Sequence, residues 1–178
     1  MLWVQFPSLT HIILSKCGGF VSRKNHLVKM EARPLTLKKG KRRETRRIVL
    51  ELLGRQVAGE EPKTLLAEVN LLTLEVDFDY LSSLFDGILT RHQELDMLIK
   101  KFLKGWRMER LNRVDHSILQ IATYELMFMN EQIPPKSAIN EAVELAKEFG
   151  STEKTPGFVN AILDKIWHFV EAEKAGQA

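Results

Sequence analysis

Lys38, Lys39, Lys41, Arg42, Arg43, Arg46 and Arg47 stand within ten residues, broken only by Gly40, Glu44 and Thr45, and an apolar run opens at Ile48. The chemistry such residues offer is phosphate binding. A guanidinium fork grips a phosphate at two points and also stacks on unpaired bases. Arg42 and Arg46 are four residues apart, as are Arg43 and Arg47, so a helix starting here would carry two adjacent basic stripes. Its N-terminus would itself favour anions. The competing reading is a solvated or solubilising tail, and the immediate passage into an apolar helix argues against it.

The charge distribution supports a localised contact. Between Arg23 and Arg47 eleven Lys or Arg face two acids, Glu31 and Glu44, a net of +9. The whole chain has 26 basic and 23 acidic residues, a net of +3, so everything outside that window sums to −6. This asymmetry suggests a nucleic acid or another anionic surface as ligand.

Other chemistries find little support. The single Cys17 excludes an internal disulfide framework and zinc sites built on paired cysteines, and it fits a reducing cytoplasm. His11, His26, His92, His116 and His168 lack ligand spacing, so no metal or other cofactor is expected. There is no glycine-rich phosphate loop, and no nucleophile stands beside a recognisable base; no catalytic residue is assigned. No apolar stretch is long enough for a membrane span, and Pro7, Thr10 and His11 interrupt what would be a signal peptide. Residues 1–39 are expected to form a disordered basic extension, with Met30 as an alternative start, and residues 40–178 one helical domain.

The elements that must position the basic run are all helical. Ile48, Leu52, Leu53 and Val57 give an apolar stripe behind it, ended near Gly59. Pro62 opens a shorter helix through Leu65, Leu66, Val69 and Leu72. A long stretch from about Asp77 to Leu103 follows, with a bend or break expected in the polar patch Thr90–Glu94. Gly105 stops it, and Trp106 begins a connector. Asn112 is the expected N-cap of a helix apolar on several faces, hence central. Pro134-Pro135 opens the next helix, closed by Gly150, and Thr155-Pro156 starts the last. Tyr124 and Trp106 read as core residues. Asn140 and Asn160 read as interhelical hydrogen-bonding groups, Asp164-Lys165 as a surface ion pair, and His116 as an ordinary helix-start residue.

The segment Pro134 to Lys147 (PPKSAINEAVELAK), then Phe149-Gly150, then Phe158 to Lys165 (FVNAILDK), resembles the C-terminal signature of the NusB family of bacterial transcription antitermination factors. Gly105-Trp106, Leu111 to Leu119, Ala122 to Leu126 and the arginine-rich first helix add to it. The resemblance spans about Lys41 to Glu171. It implies an all-α fold of about seven helices in two packed small bundles. It also implies binding of the boxA element of nascent ribosomal RNA together with the ribosomal protein NusE, within an antitermination complex on RNA polymerase. Self-association as a homodimer is a further expectation.

By position, the resemblance makes Arg42, Arg43 and Arg46 RNA contacts, extended by Lys38, Lys39, Lys41 and Arg47. Lys136, Thr152 and Lys154 lie where base recognition is expected, although Ser151 and Thr152 also read as turn and cap residues. Asp115 matches an acid presented to the protein partner, or else it simply complements the helix dipole. Glu153 is a second partner candidate, or a solvated side chain. The chain departs from the family pattern in its long extension, in Glu44 within the arginine run, in Gly54 at a position commonly tyrosine, and in a loop at 151–157 about one residue longer than in some relatives. Two other readings remain: the NusB-like head of a ribosomal RNA cytosine methyltransferase, and a helical scaffold that binds only protein. If about five phosphates of a single strand are neutralised, log K should fall with log salt at a slope of roughly −3.5. A salt titration of RNA binding checks this, and a slope near zero removes the phosphate role.

Overall fold

In a computed structural model of the chain, residues 41–71, 76–103, 108 and 111–176 are described. They form six helices and no strand: α1 (Lys41–Val57), α2 (Pro62–Leu71), α3 (Phe78–Phe102), α4 (Arg113–Phe128), α5 (Pro135–Phe149) and α6 (Thr155–Gly176). The expected extension over residues 1–39, the connector at Gly105-Trp106 and Leu72 lie outside the described residues.

Local chemistry sets these boundaries. Asp77 accepts from Tyr80 N at 3.1 Å and caps α3. Asn112 accepts from Val114 N at 2.9 Å and caps α4, as its position predicts. Pro135 occupies the opening turn of α5, where a missing N–H costs nothing. Gly59, at φ 103°, takes the left-handed turn after α1 that a side chain would resist.

The expected discontinuity in the third helix is a bend. Arg91 leaves helical geometry (φ −109°, ψ 16°), and α3 continues past it, so the described residues hold six helices, close to the expected number of about seven. Polar side chains sustain the bend: Thr90 Oγ1 donates to Asp86 O at 2.8 Å, and a His92 ring nitrogen lies 2.9 Å from Leu89 O. The Arg91 guanidinium lies 4.4 Å from the centroid of the Phe128 ring.

One continuous core links two small bundles. α2 and the first turns of α3 meet α1, whereas the second half of α3 joins α4, α5 and α6 through contacts such as Phe102 with Phe169. α4 packs against α1, α3, α5 and α6, and its Ile118, Leu119, Ile121, Ala122 and Leu126 are all buried. That matches a helix apolar on several faces. His116 has more than an ordinary role, since its Nε2 lies 2.7 Å from Asp96 Oδ1. Gln120 donates to the same oxygen at 2.8 Å, clamping α4 to α3.

Three expectations fail. Asn140 and Asn160 are exposed on the outer faces of α5 and α6 and do not tie helices together. Asp164 lies 3.8 Å from His168, one helical turn on, and Lys165 is not its partner. Val57 is exposed, because α1 ends there.

Tyr124 is half-buried, as expected of a core residue, with its hydroxyl over Gly87 and its ring 5.0 Å from that of Phe128. A Cβ at Gly87 would meet Tyr124 Oη at 2.1 Å. Gly87→Ala should therefore lower the melting temperature, despite alanine's helix-propensity advantage of about 1 kcal/mol. Gly157→Ala, whose Cβ would meet nothing within 4 Å, should be neutral or stabilising by up to about 1 kcal/mol. Thermal unfolding followed by circular dichroism tests the pair.

Candidate nucleic-acid interface

The first two turns of α1 lie along α5. Arg42 Nη1 donates to Gln132 O at 3.0 Å, in the connector just before α5. Arg43 makes a two-point contact with Glu141, Nε to Oε2 at 2.8 Å and Nη2 to Oε1 at 2.9 Å. Arg47 Nη2 donates to Glu148, near the end of α5, and its Nη1 lies 3.5 Å from Glu44 Oε2. The basic strip thus runs from the turn that carries Lys136 toward the loop that carries Thr152, Glu153 and Lys154. All four of those side chains are exposed.

Arg46 corrects the expected pair of stripes. It shares a helix face with Arg42, but it points inward and is 3% exposed. Its Nε donates to Glu125 Oε1 at 2.7 Å, an oxygen that also accepts from the Tyr80 hydroxyl, and its guanidinium stands 5.8 Å from the Tyr80 ring centroid. Arg46 therefore fastens α1 to α3 and α4. Burial pushes the Glu125 carboxyl above its ordinary value, against the pull of Arg46. Burial and the neighbouring Glu125 likewise push the Tyr80 hydroxyl up, which keeps it a donor.

Asp115 stands in the first turn of α4, where the dipole reading puts it. Expected either as a partner-facing acid or as a dipole complement, it is 5% exposed and accepts from Ser151 N at 3.0 Å and Ser151 Oγ at 2.5 Å. Thr155 Oγ1 in turn accepts from Thr152 N at 3.1 Å. Asp115 is thereby the anchor of the 151–154 loop at the start of α4, and the turn-and-cap reading of Ser151 holds. Lys38 and Lys39 lie outside the described residues, and Lys41 is the first residue of α1.

Sequence reasoning missed Glu141 and Glu148 as partners of the arginines. Their signal was present, since Glu141, Glu144 and Glu148 recur at i, i+3 and i+7 on one face of α5. The hydrogen bond from Arg43 is the main cause holding the Glu141 carboxyl below the usual range, so the pair stays ionised at neutral pH. The contact from Arg42 to the Gln132 carbonyl has no sequence signal at all. Among the described residues no group of three or more His, Cys, Asp or Glu could hold a metal ion, and no helix is long and apolar enough to cross a membrane.

These features define a class: an all-helical domain whose basic opening helix is laid along a bundle beside an anchored loop. The NusB family model matches residues 41–168. The chain is 48% identical over 92 residues to the transcription antitermination protein NusB of Clostridium tetani, which covers 52% of this chain and 59% of that protein, less than two thirds of its length. It is 37% identical over 130 residues to the NusB of Clostridium novyi, covering 70% of this chain and 96% of the relative. A solved structure of the antitermination factors NusB and NusE in complex with dsRNA superposes with a TM-score of 0.64 at 26% identity, over 74% of this chain and 99% of that one. The chain belongs to the NusB family.

Removing Arg46 leaves the buried Glu125 carboxylate uncompensated. Arg46→Ala should cost about 3–5 kcal/mol in urea unfolding, and Arg42→Ala about 1 kcal/mol or less. A carboxyl raised on folding contributes stability at low pH and loses it as pH rises through the folded value. The raise is larger without Arg46, so the deficit of Arg46→Ala should be greater at pH 8 than at pH 5.

Proposed function

We propose that this chain is a transcription antitermination factor that binds boxA-type single-stranded RNA of nascent ribosomal RNA transcripts together with NusE, and that it acts within an antitermination complex on RNA polymerase. Family membership supports the role, and the likeness to the NusB–NusE–dsRNA structure supports the two partners. The observation that carries the reading to particular residues is spatial. Exposed cations from three separate stretches of sequence follow one another along α5: Arg42 and Arg43 on α1, Lys136 in the first turn of α5, and Lys154 in the loop beyond its end.

Two roles divide among them. In this reading, phosphate contacts from α1 set the position of the strand and carry no sequence information, and the 151–154 loop and Lys136 supply the base contacts. Lys136 and Lys154 are both exposed, which supports their ammonium groups as ligand contacts. Glu153, exposed on the same loop, remains a candidate contact for the protein partner. Asp115 is left with an indirect part, that of holding the loop.

Filter binding with a boxA RNA and a scrambled RNA, each with and without NusE, tests the reading. The boxA RNA should bind more tightly than the scrambled one, and NusE should widen the gap. Lys136→Ala with Lys154→Ala should weaken boxA binding more than scrambled-RNA binding and leave the salt slope nearly unchanged, since base contacts specify and phosphate contacts set the slope. The melting temperature should stay within a degree or two, since both sites are exposed. Equal affinity for the two RNAs in the presence of NusE would overturn the proposal.

A further inference from the structure

Two arginines of α1, Arg43 and Arg47, are not open to an incoming phosphate. Arg43 spends its fork on Glu141 in the same side-by-side geometry that a phosphate accepts. Arg47, whose side chain is only 19% exposed, is held between Glu148 and Glu44. Glu144, between the two acids of α5, is paired with Lys147 at 2.6 Å and also lies close enough to Arg43 to act on its charge. Arg42, Arg43, Arg47 and Lys147 stand opposite Glu44, Glu141, Glu144 and Glu148, four charges against four. These eight side chains therefore cancel, and the charge of Arg43 and Arg47 that the sequence marks as basic is neutralised by carboxylates.

We propose that Glu141 and Glu148 are specificity-determining residues, which occupy the arginine forks of α1 as internal substitutes for phosphate and so exclude polyanions that bring charge alone. This rests on the reading of α1 as an RNA-binding helix and assigns the control of that same site. The exclusion works by competition. A phosphate that reaches Arg43 must displace a carboxylate and then sit beside it, and the two repel. A generic polyanion gains nothing to offset that repulsion. A ligand that also engages Lys136 and the 151–154 loop offsets it with contacts of its own, and its base and 2′-hydroxyl donors can satisfy the displaced carboxylates. The locks are of a kind that opens, because the Arg43 side chain is 45% exposed and Glu148 is 43% exposed, and exposed ion pairs are individually weak. Mild acid does not open the Arg43–Glu141 lock, since the hydrogen bond from Arg43 holds the Glu141 carboxyl below the usual range.

The test uses the full chain with Glu141→Gln/Glu148→Gln, and with Glu148→Gln alone in case the double variant unfolds. Glutamine keeps the shape and removes the charge. Binding of inorganic polyphosphate, scrambled RNA and boxA RNA is followed by fluorescence anisotropy at several salt concentrations. For the double variant, polyphosphate and scrambled RNA should bind about tenfold more tightly, and the scrambled-RNA salt slope should steepen by about 1.4 for two freed cations. The boxA RNA should gain less, so the preference for it shrinks. The single variant should show about half the slope change. Polyphosphate and scrambled RNA binding that stays the same or weakens in both variants overturns the inference. The polyphosphate arm separates the two proposals: tighter polyphosphate binding with no boxA preference in the wild type sinks the antitermination reading alone, and an intact boxA preference with unchanged polyphosphate binding sinks this inference alone.

Discussion

The ion pair between Arg46 and Glu125, with Tyr80 donating to the same carboxylate oxygen, decides where every other residue of the opening helix points. Taking two charges out of water is costly, and such a pair often contributes no more stability than apolar residues of the same size. Its effect here is on register. At about 100° per residue, with Arg46 turned inward, Arg43 and Arg47 lie about 60° and 100° to one side, and Arg42 lies about 40° to the other. The first side is the one that meets Glu141 and Glu148, and the second meets the Tyr80 ring and the Gln132 carbonyl. A slip of α1 by one residue would bury a threonine or a different arginine against Glu125 and move the whole basic strip off α5.

The other half of the interface is placed from the same helix. α4 carries Asp115 in its first turn and Glu125 near its end, and both are buried acids. Asp115 fixes Ser151 and with it the 151–154 loop; Glu125 fixes α1 through Arg46. Ten residues separate the two acids, about 15 Å along a helix. The apolar residues between them make α4 the rigid member of the core. The loop and the basic strip, far apart in sequence, are therefore held at a set separation by one element that itself presents little to solvent.

How much of this the sequence disclosed follows from the range of the interactions. Features settled within a few residues were legible: the Asn112 cap, the proline opening of α5, and the bend at Arg91 in a patch with little to bury. The contiguous basic run at the head of α1 was legible for the same reason, and so was its position on a helix. Which of its arginines turns inward was not. Spacing of i and i+4 groups residues by face without saying which face is covered, and Arg46 is chosen by an acid 79 residues away. Asp115 was ambiguous because a helix-start acid fits a dipole, a partner or a loop equally well, and only the return of the chain at Ser151 separates them. Asn140 and Asn160 misled for the opposite reason. Their mid-helix positions suggested a buried partner, whereas solvent satisfies them.

The same accounting separates attraction from selection. Residues 41–47 hold five cations and one acid, a net of +4, and Glu125, Glu141 and Glu148 reduce their field to about +1. At physiological salt a charge is screened over about 8 Å, so α1 exerts little pull on a distant polyanion. Residues 23–40 carry six cations and one acid, a net of +5. On the proposed reading, discrimination would belong to α1, whose Arg43 and Arg47 charges are released only to a ligand that can replace the carboxylates. A strip both strongly positive and rigid would hold any polyanion, and pairing Arg43 and Arg47 with carboxylates of α5 removes that excess charge while leaving the helix in place.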